Sequence, residues 1–232
     1  MVNDPKPLAL IVGAGSGLSA SLATQCAAAG MHIALVARNT EKLKHFREAR
    51  LYSCDVAEPA QVTKLFESLD RDEGTPELVV YNPSYRARGA LTTLDPEEVR
   101  RSLMVTAYGG FLVAQAAVKR MLERGRGSLF FTGASASLKG YAESAPFAMG
   151  KFALRGLAQS LAREFGPKGI HVAHFVIDGG ILKAGGDPRA AARGEDGMLH
   201  PDAIAETYMS TYRQHRSAWS FELDLRPWVE RF

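Results

Sequence analysis

The chain has two cysteines among its 232 residues, Cys26 and Cys54. Two are too few for a disulfide framework. Neither lies beside a histidine in sequence or within a metal-ligand spacing, so both read as reduced thiols of a cytoplasmic protein, without catalytic roles. No apolar run approaches the ~18–20 residues that cross a bilayer. The N-terminal MVNDPKPLAL lacks a basic stretch followed by a long apolar one, which argues against a secretory leader. Net charge is +3 and no basic run stands out, which argues against a nucleic-acid surface. No repeat, low-complexity tract or linker divides the chain. What remains, 46% hydrophobic and 23% charged residues, suits one globular domain over 1–232.

The stretch 8–30, LALIVGAGSGLSASLATQCAAAG, organises the rest. An apolar run at 8–12 reads as a buried strand, Gly13, Gly15 and Gly17 break it, and an Ala-rich helical pattern follows to Gly30. Strand, glycine turn and helix in that order form a phosphate cradle. The glycines admit a pyrophosphate close to the backbone, and the helix N-terminus offers free N–H groups and a positive dipole end. Gly13, Gly15, Ser16, Gly17 and Leu18 are the candidate cradle.

Further strands are expected at 32–36, 51–54, 77–81, 128–132, 170–177 and 219–223. Helices are expected at 41–48 (capped by Thr40), 59–72, about 95–124, 144–165 and 202–215. Gly109 and Gly110 fall inside the long fourth helix, where close packing or a neighbouring subunit would justify them. The polar, glycine-rich 183–199 reads as a mobile flap, and 224–232 as a tail. Uniformly apolar strands alternating with helices predict a doubly wound parallel α/β sheet of about seven strands, Rossmann-like, with helices on both faces.

Ligands in such sheets bind outside the C-terminal strand ends. The end of the second strand carries Ala37-Arg38 and no carboxylate. A carboxylate there would bond a free ribose 2′-hydroxyl, whereas an arginine neutralises a 2′-phosphate, so NADP(H) is expected over NAD(H). Asp55, just past the third strand, is placed either to reach an adenine amino group or to cap the next helix.

These residues resemble the short-chain dehydrogenase/reductase family over about 8–181. The turn at 13–19 is similar to the family's T-G-x-x-x-G-x-G, with Gly13 and Gly17 matching, Val12 for the Thr and Ser19 for the last Gly. Asp55-Val56 resembles its adenine-side D-V. Asn82-Pro83-Ser84 resembles the end of N-N-A-G, and Asp178-Gly179 its P-G step beside the nicotinamide. The resemblance implies cofactor contacts from Val56, Asn82, Gly179 and Ile181. It also implies a Tyr-x-x-x-Lys pair, with a Ser 13 residues before the Tyr and an Asn on the preceding helix. The Lys is present as Lys151, where it would hold ribose hydroxyls and support proton transfer. The other three positions are Phe147, Ala134 and Thr106.

Phenylalanine has no proton to give. Ser135 and Tyr141 are the candidate substitutes, with Tyr85 and Asp178 as further neighbours of the expected site. His171 and His174 read as packed strand residues. The expected function is NADP(H)-dependent oxidoreduction of a small carbonyl or alcohol with a non-standard proton donor. The alternative is a weakly active or inactive NADP(H)-binding sensor, scaffold or subunit. The resemblance also implies a homodimer or homotetramer.

Overall fold

The computed structural model describes residues 6–183 and 185–230. Seven parallel strands form one sheet: β1 Leu8–Val12, β2 His32–Ala37, β3 Arg50–Ser53, β4 Leu78–Tyr81, β5 Gly127–Thr132, β6 Ile170–Ile177 and β7 Glu222–Leu225. Their spatial order is β3-β2-β1-β4-β5-β6-β7. The order reverses between β1 and β4, which opens a crevice at their C-terminal ends.

Helices α1 Leu18–Ala28, α2 Pro59–Asp72, α3 Pro96–Leu103, α4 Gly109–Arg124, α5 Ala145–Phe165, α6 Pro188–Arg193 and α7 Pro201–Tyr212 cover the sheet. The central strands β1, β4, β5 and β6 are buried at every position, which is why they carry no polar alternation. One core packs α2, α4 and α5 on one face through Phe66, Val113 and Leu154. The other packs α1 and α7 on the opposite face through Leu22, Ile204 and Tyr208.

Several expected elements differ. The helix at 41–48 reduces to a single 3₁₀ turn, Glu41–Leu43, and Thr40 makes no side-chain cap. The Asn39 side-chain oxygen accepts from the Glu41 N–H at 2.9 Å instead, as Asn does in turns. The long fourth helix contains a π-helical turn, Met104–Tyr108, between α3 and α4. The last strand starts three residues later than expected and takes Asp224 and Leu225 from the expected tail. Leu223 and Leu225 join the core there, while Trp219 stacks on His171 with centroids 4.7 Å apart. Residues 231–232 of that tail lie outside the described residues.

The flap also carries structure. Asp187 caps α6 by accepting from the Arg189 N–H at 3.0 Å, Ile181 pairs with Leu199, and Met198 is buried. Ala184 lies outside the described residues. Gly109 and Gly110 are explained by packing within the chain. A Cβ at Gly109 would lie 2.6 Å from the Tyr81 hydroxyl, and one at Gly110 would lie 2.7 Å from Leu154 Cδ1. Among the described residues, no helix is long and apolar enough to cross a membrane.

Candidate active site

The turn after β1 is built for close approach. Gly13 has φ +79°, and a Cβ there would sit 2.7 Å from the Pro83 backbone nitrogen. Glycine is therefore required on two counts, conformation and space. The Gly13 and Ala14 N–H groups both donate to the Val36 carbonyl at 2.9 Å. By contrast, nothing lies within 4 Å of a Cβ at Gly15 or Gly17. Gly17 caps α1 without a side-chain hydrogen bond, and the first turn has no acid. The helix start is thus left without a side-chain acceptor, as an anion site needs.

Ser19, standing where the family pattern has glycine, does structural work that the sequence did not reveal. Its hydroxyl donates to the Gly13 carbonyl at 3.1 Å and accepts from the Asn82 side-chain amide at 2.8 Å. That chain of bonds ties the glycine turn to the end of β4. Leu18 points into the core, so it contributes backbone rather than side chain, and Ser16 is exposed.

A cleft of about 610 Å³ opens beside this turn. Gly13, Arg38, Asp55, Val56 and Asn82, all expected at a cofactor site, line it. Lys42 lines it as well and was not anticipated. The signal available was a cation four residues after Arg38. Asp55 does not cap α2, whose N-cap is Glu58 with no side-chain hydrogen bond. The Asp55 Oδ1 accepts from the Ala57 N–H at 3.1 Å, and the residue borders the cleft. Gly179 and Ile181 are elsewhere: Gly179 packs on Pro227 and Ile181 bridges to Leu199.

At the other end of the sheet's upper rim, the expected catalytic positions converge on α5. Lys151 is 2% exposed, and its Nζ donates to the Thr132 carbonyl at 2.6 Å. The Thr132 hydroxyl in turn accepts from the Tyr208 hydroxyl at 3.0 Å. Burial, together with the neighbouring Arg86 charge, lowers the Lys151 pKa to about 7. Phe147 lies one turn earlier on α5 and packs with Ala134 and Ala136 in a small apolar cluster. Thr106 lies in the π-helical turn, 3.0 Å from where a Gly150 Cβ would stand, and its hydroxyl accepts from the Tyr85 N–H at 3.3 Å. Phe147 thus contacts Ala134 and lies 5.9 Å from the Lys151 Nζ, while Thr106 packs against Gly150 one residue before the lysine.

Ser135 begins a 3₁₀ turn, Ser135–Ser137, and its hydroxyl has no partner among the described residues. Tyr141 is 46% exposed, and the Lys139 ammonium lies 5.8 Å from its ring centroid. The Tyr85 hydroxyl donates to Glu98 Oε2 at 2.5 Å, a bond that raises its pKa. His174 is buried and faces Glu222 Oε2 at 3.0 Å, and burial lowers its pKa to about 4. It is a neutral packing residue, with Gly133 required beside it because a Cβ there would meet its ring at 2.3 Å.

A family model described as short chain dehydrogenase matches residues 7–184. The chain belongs to the short-chain dehydrogenase family. It is 30% identical over 173 residues to the D-threitol dehydrogenase of Mycolicibacterium smegmatis, covering 71% of this chain and 66% of that protein. It is 28% identical over 167 residues to the 3-oxoacyl-(acyl-carrier-protein) reductase of Bos taurus, covering 70% of each. The chain thus spans about two thirds of these relatives. A solved short-chain dehydrogenase from Rhodopseudomonas palustris superposes with a TM-score of 0.81 at 31% identity, over 97% of this chain and 100% of that one. As a short-chain dehydrogenase fold, the sheet implies a nicotinamide cofactor. The glycine turn, the free start of α1 and the open cleft fit such a group.

Proposed function

We propose that the protein is an NADP(H)-dependent oxidoreductase of a small carbonyl compound or alcohol. The observation that carries the reading is the cleft at the β1–β4 crevice. It joins a glycine turn that admits no side chain at Gly13 to two cations, Arg38 just past β2 and Lys42 in the following 3₁₀ turn. Gly15, Ser16, Gly17 and Leu18 would hold the pyrophosphate through backbone N–H groups. Arg38 and Lys42 would hold a 2′-phosphate, Asp55 and Val56 would border the adenine, and Asn82 would brace the turn. Gly179 and Ile181 would border the nicotinamide end. The bound cofactor supplies or accepts hydride.

The chain itself must move the proton. Phe147 cannot, and Lys151 is the group beside it whose pKa lies near neutrality, where an acid–base catalyst works best. Its ammonium is held in place by the Thr132 carbonyl and retains two further N–H donors. Ser135 and Tyr141 present hydroxyls free to orient a substrate oxygen.

The apolar Ala134–Ala136–Phe147 cluster favours a second reading, an NADP(H)-binding protein with little turnover. A general acid contributes roughly 10²–10⁴ in rate, so its loss can silence the chemistry while binding persists. NADPH oxidation followed over a panel of carbonyl compounds separates the two. The enzyme reading predicts turnover by the wild type. Tight NADPH binding without turnover, together with turnover by Phe147→Tyr, would establish the second reading instead.

A homodimer or homotetramer is part of this proposal. Tyr108 and Phe111 on the π-helical turn and α4, and Met149 and Phe152 on α5, are exposed at 38–49%. Such a large apolar surface on two helices suits burial by a second copy.

A further inference from the structure

Arg86 stands in the loop that leaves β4, and both sides of it are anchored. The preceding residue, Tyr85, donates its N–H to Thr106 and accepts from the Ser102 hydroxyl at 2.8 Å. The following residue, Ala87, is buried, and the Gly89 N–H donates to the Glu143 carbonyl at 3.1 Å. The loop therefore carries Arg86 to one place. Its guanidinium carbon lies 4.1 Å from the centroid of the Phe147 ring.

That contact uses the face of the ring and matches none of the five guanidinium N–H donors to an acceptor. Among the described residues Arg86 has no hydrogen-bond or ion-pair partner. Arg155, Arg120 and Arg189 pair with Glu222, Asp70 and Asp187, whereas Arg86 is exposed and turns no donor to a carboxylate among the described residues. Arg88 lies two residues away in the same loop, while Arg189 is neutralised by Asp187. Lys151, buried one helical turn from Phe147, places its Nζ 5.9 Å from the centroid of the same ring. An exposed planar fork braced on an aromatic ring, with no acceptor among the described residues, is suited to bidentate recognition of a carboxylate.

We infer that Arg86, supported by the Phe147 ring, docks a carboxylate of the substrate, so that the substrate class is an oxo acid or the corresponding hydroxy acid. The inference rests on the oxidoreductase reading above. It also gives Phe147 a purpose: the ring that lacks a proton serves as the platform for the guanidinium. A neutral ketone or alcohol would leave the Arg86 fork unmatched.

The test is calorimetric titration of short 2-oxo and 3-oxo acids and their methyl esters into the full chain, with and without NADPH. Wild type, Arg86→Ala and Arg86→Lys are compared. At least one acid is expected to bind roughly 10- to 100-fold more tightly than its ester, the range for hydrogen bonds to charged groups. Arg86→Ala should erase that preference, and Arg86→Lys should restore part of it, because Lys keeps the charge without the fork. NADPH affinity is measured in parallel. No acid preferred over its ester, or a preference that survives Arg86→Ala, overturns the inference. Loss of NADPH and acid affinity together in Arg86→Ala assigns the residue to the cofactor and also overturns it. Acid binding that depends on Arg86, in a wild type that does not bind NADPH, overturns the oxidoreductase reading and leaves the anion site standing.

Discussion

Replacing Lys151 with Met should flatten the pH dependence of stability between pH 7 and 8.5. The lysine is buried, and its folded pKa is about 7, because desolvation and the Arg86 charge both disfavour the ammonium. In the unfolded chain the same group titrates near 10.4. Between those values the unfolded state binds the additional proton, so stability rises with pH. The difference amounts to about 1.6 kcal/mol gained from pH 7 to 8.5, within a limiting slope of about 1.4 kcal/mol per pH unit. Met fills a similar volume and does not titrate. Cys26 and Cys54 work in the opposite direction at higher pH, since burial pushes them up to about 12 and about 11. Their effect is common to both proteins and cancels in the comparison. His174, with a pKa of about 4, stays neutral throughout. Guanidinium unfolding of the cofactor-free wild type and Lys151→Met at the two pH values gives the four free energies required. Equal pH slopes in both proteins would refute a neutral-range Lys151 and, with it, the proposed proton carrier.

Two further outcomes are expected. Gly13→Ala should lower stability by about 1–2 kcal/mol for the left-handed backbone alone, and by more once the clash with the Pro83 backbone is included. It should also weaken NADPH binding. An unchanged unfolding midpoint would contradict the assigned turn geometry. Sedimentation at micromolar concentration should show a dimer or tetramer, and charged substitutions at Phe111 and Phe152 should shift it toward monomer. A wild type that is monomeric throughout would remove the proposed role of that face.

The fold was legible because its central strands are apolar runs buried throughout and helices such as α2 carry the 3.6-residue pattern. Val62, Leu65, Phe66 and Leu69 on α2 are all buried, as their spacing requires. The ends of elements were less legible. Thr40 had the chemistry of a cap, but Asn39 took the bond, and the helix collapsed to one turn. Gly109 and Gly110 could be read as special without showing why, since Tyr81 and Leu154 lie far away in sequence. Gly13, Arg38, Asp55, Val56 and Asn82, each placed just after a strand in the sequence, line one cleft. Ser19 and Arg86 were missed. Ser19 acts through a hydrogen bond to a residue 63 positions away. Arg86 meets a ring brought to it by α5, and no local pattern encodes that contact.

The central claim is that the cleft beside Arg38 and Lys42 binds NADP(H). Calorimetric titration of the wild type and Arg38→Asp with NADPH and NADH tests it directly. The account predicts that wild type prefers NADPH by roughly 10- to 100-fold, as expected for a charge-assisted phosphate contact. Arg38→Asp should lose that preference or reverse it. Equal affinities for the two cofactors in the wild type, an unchanged preference in Arg38→Asp, or no binding of either cofactor would contradict it.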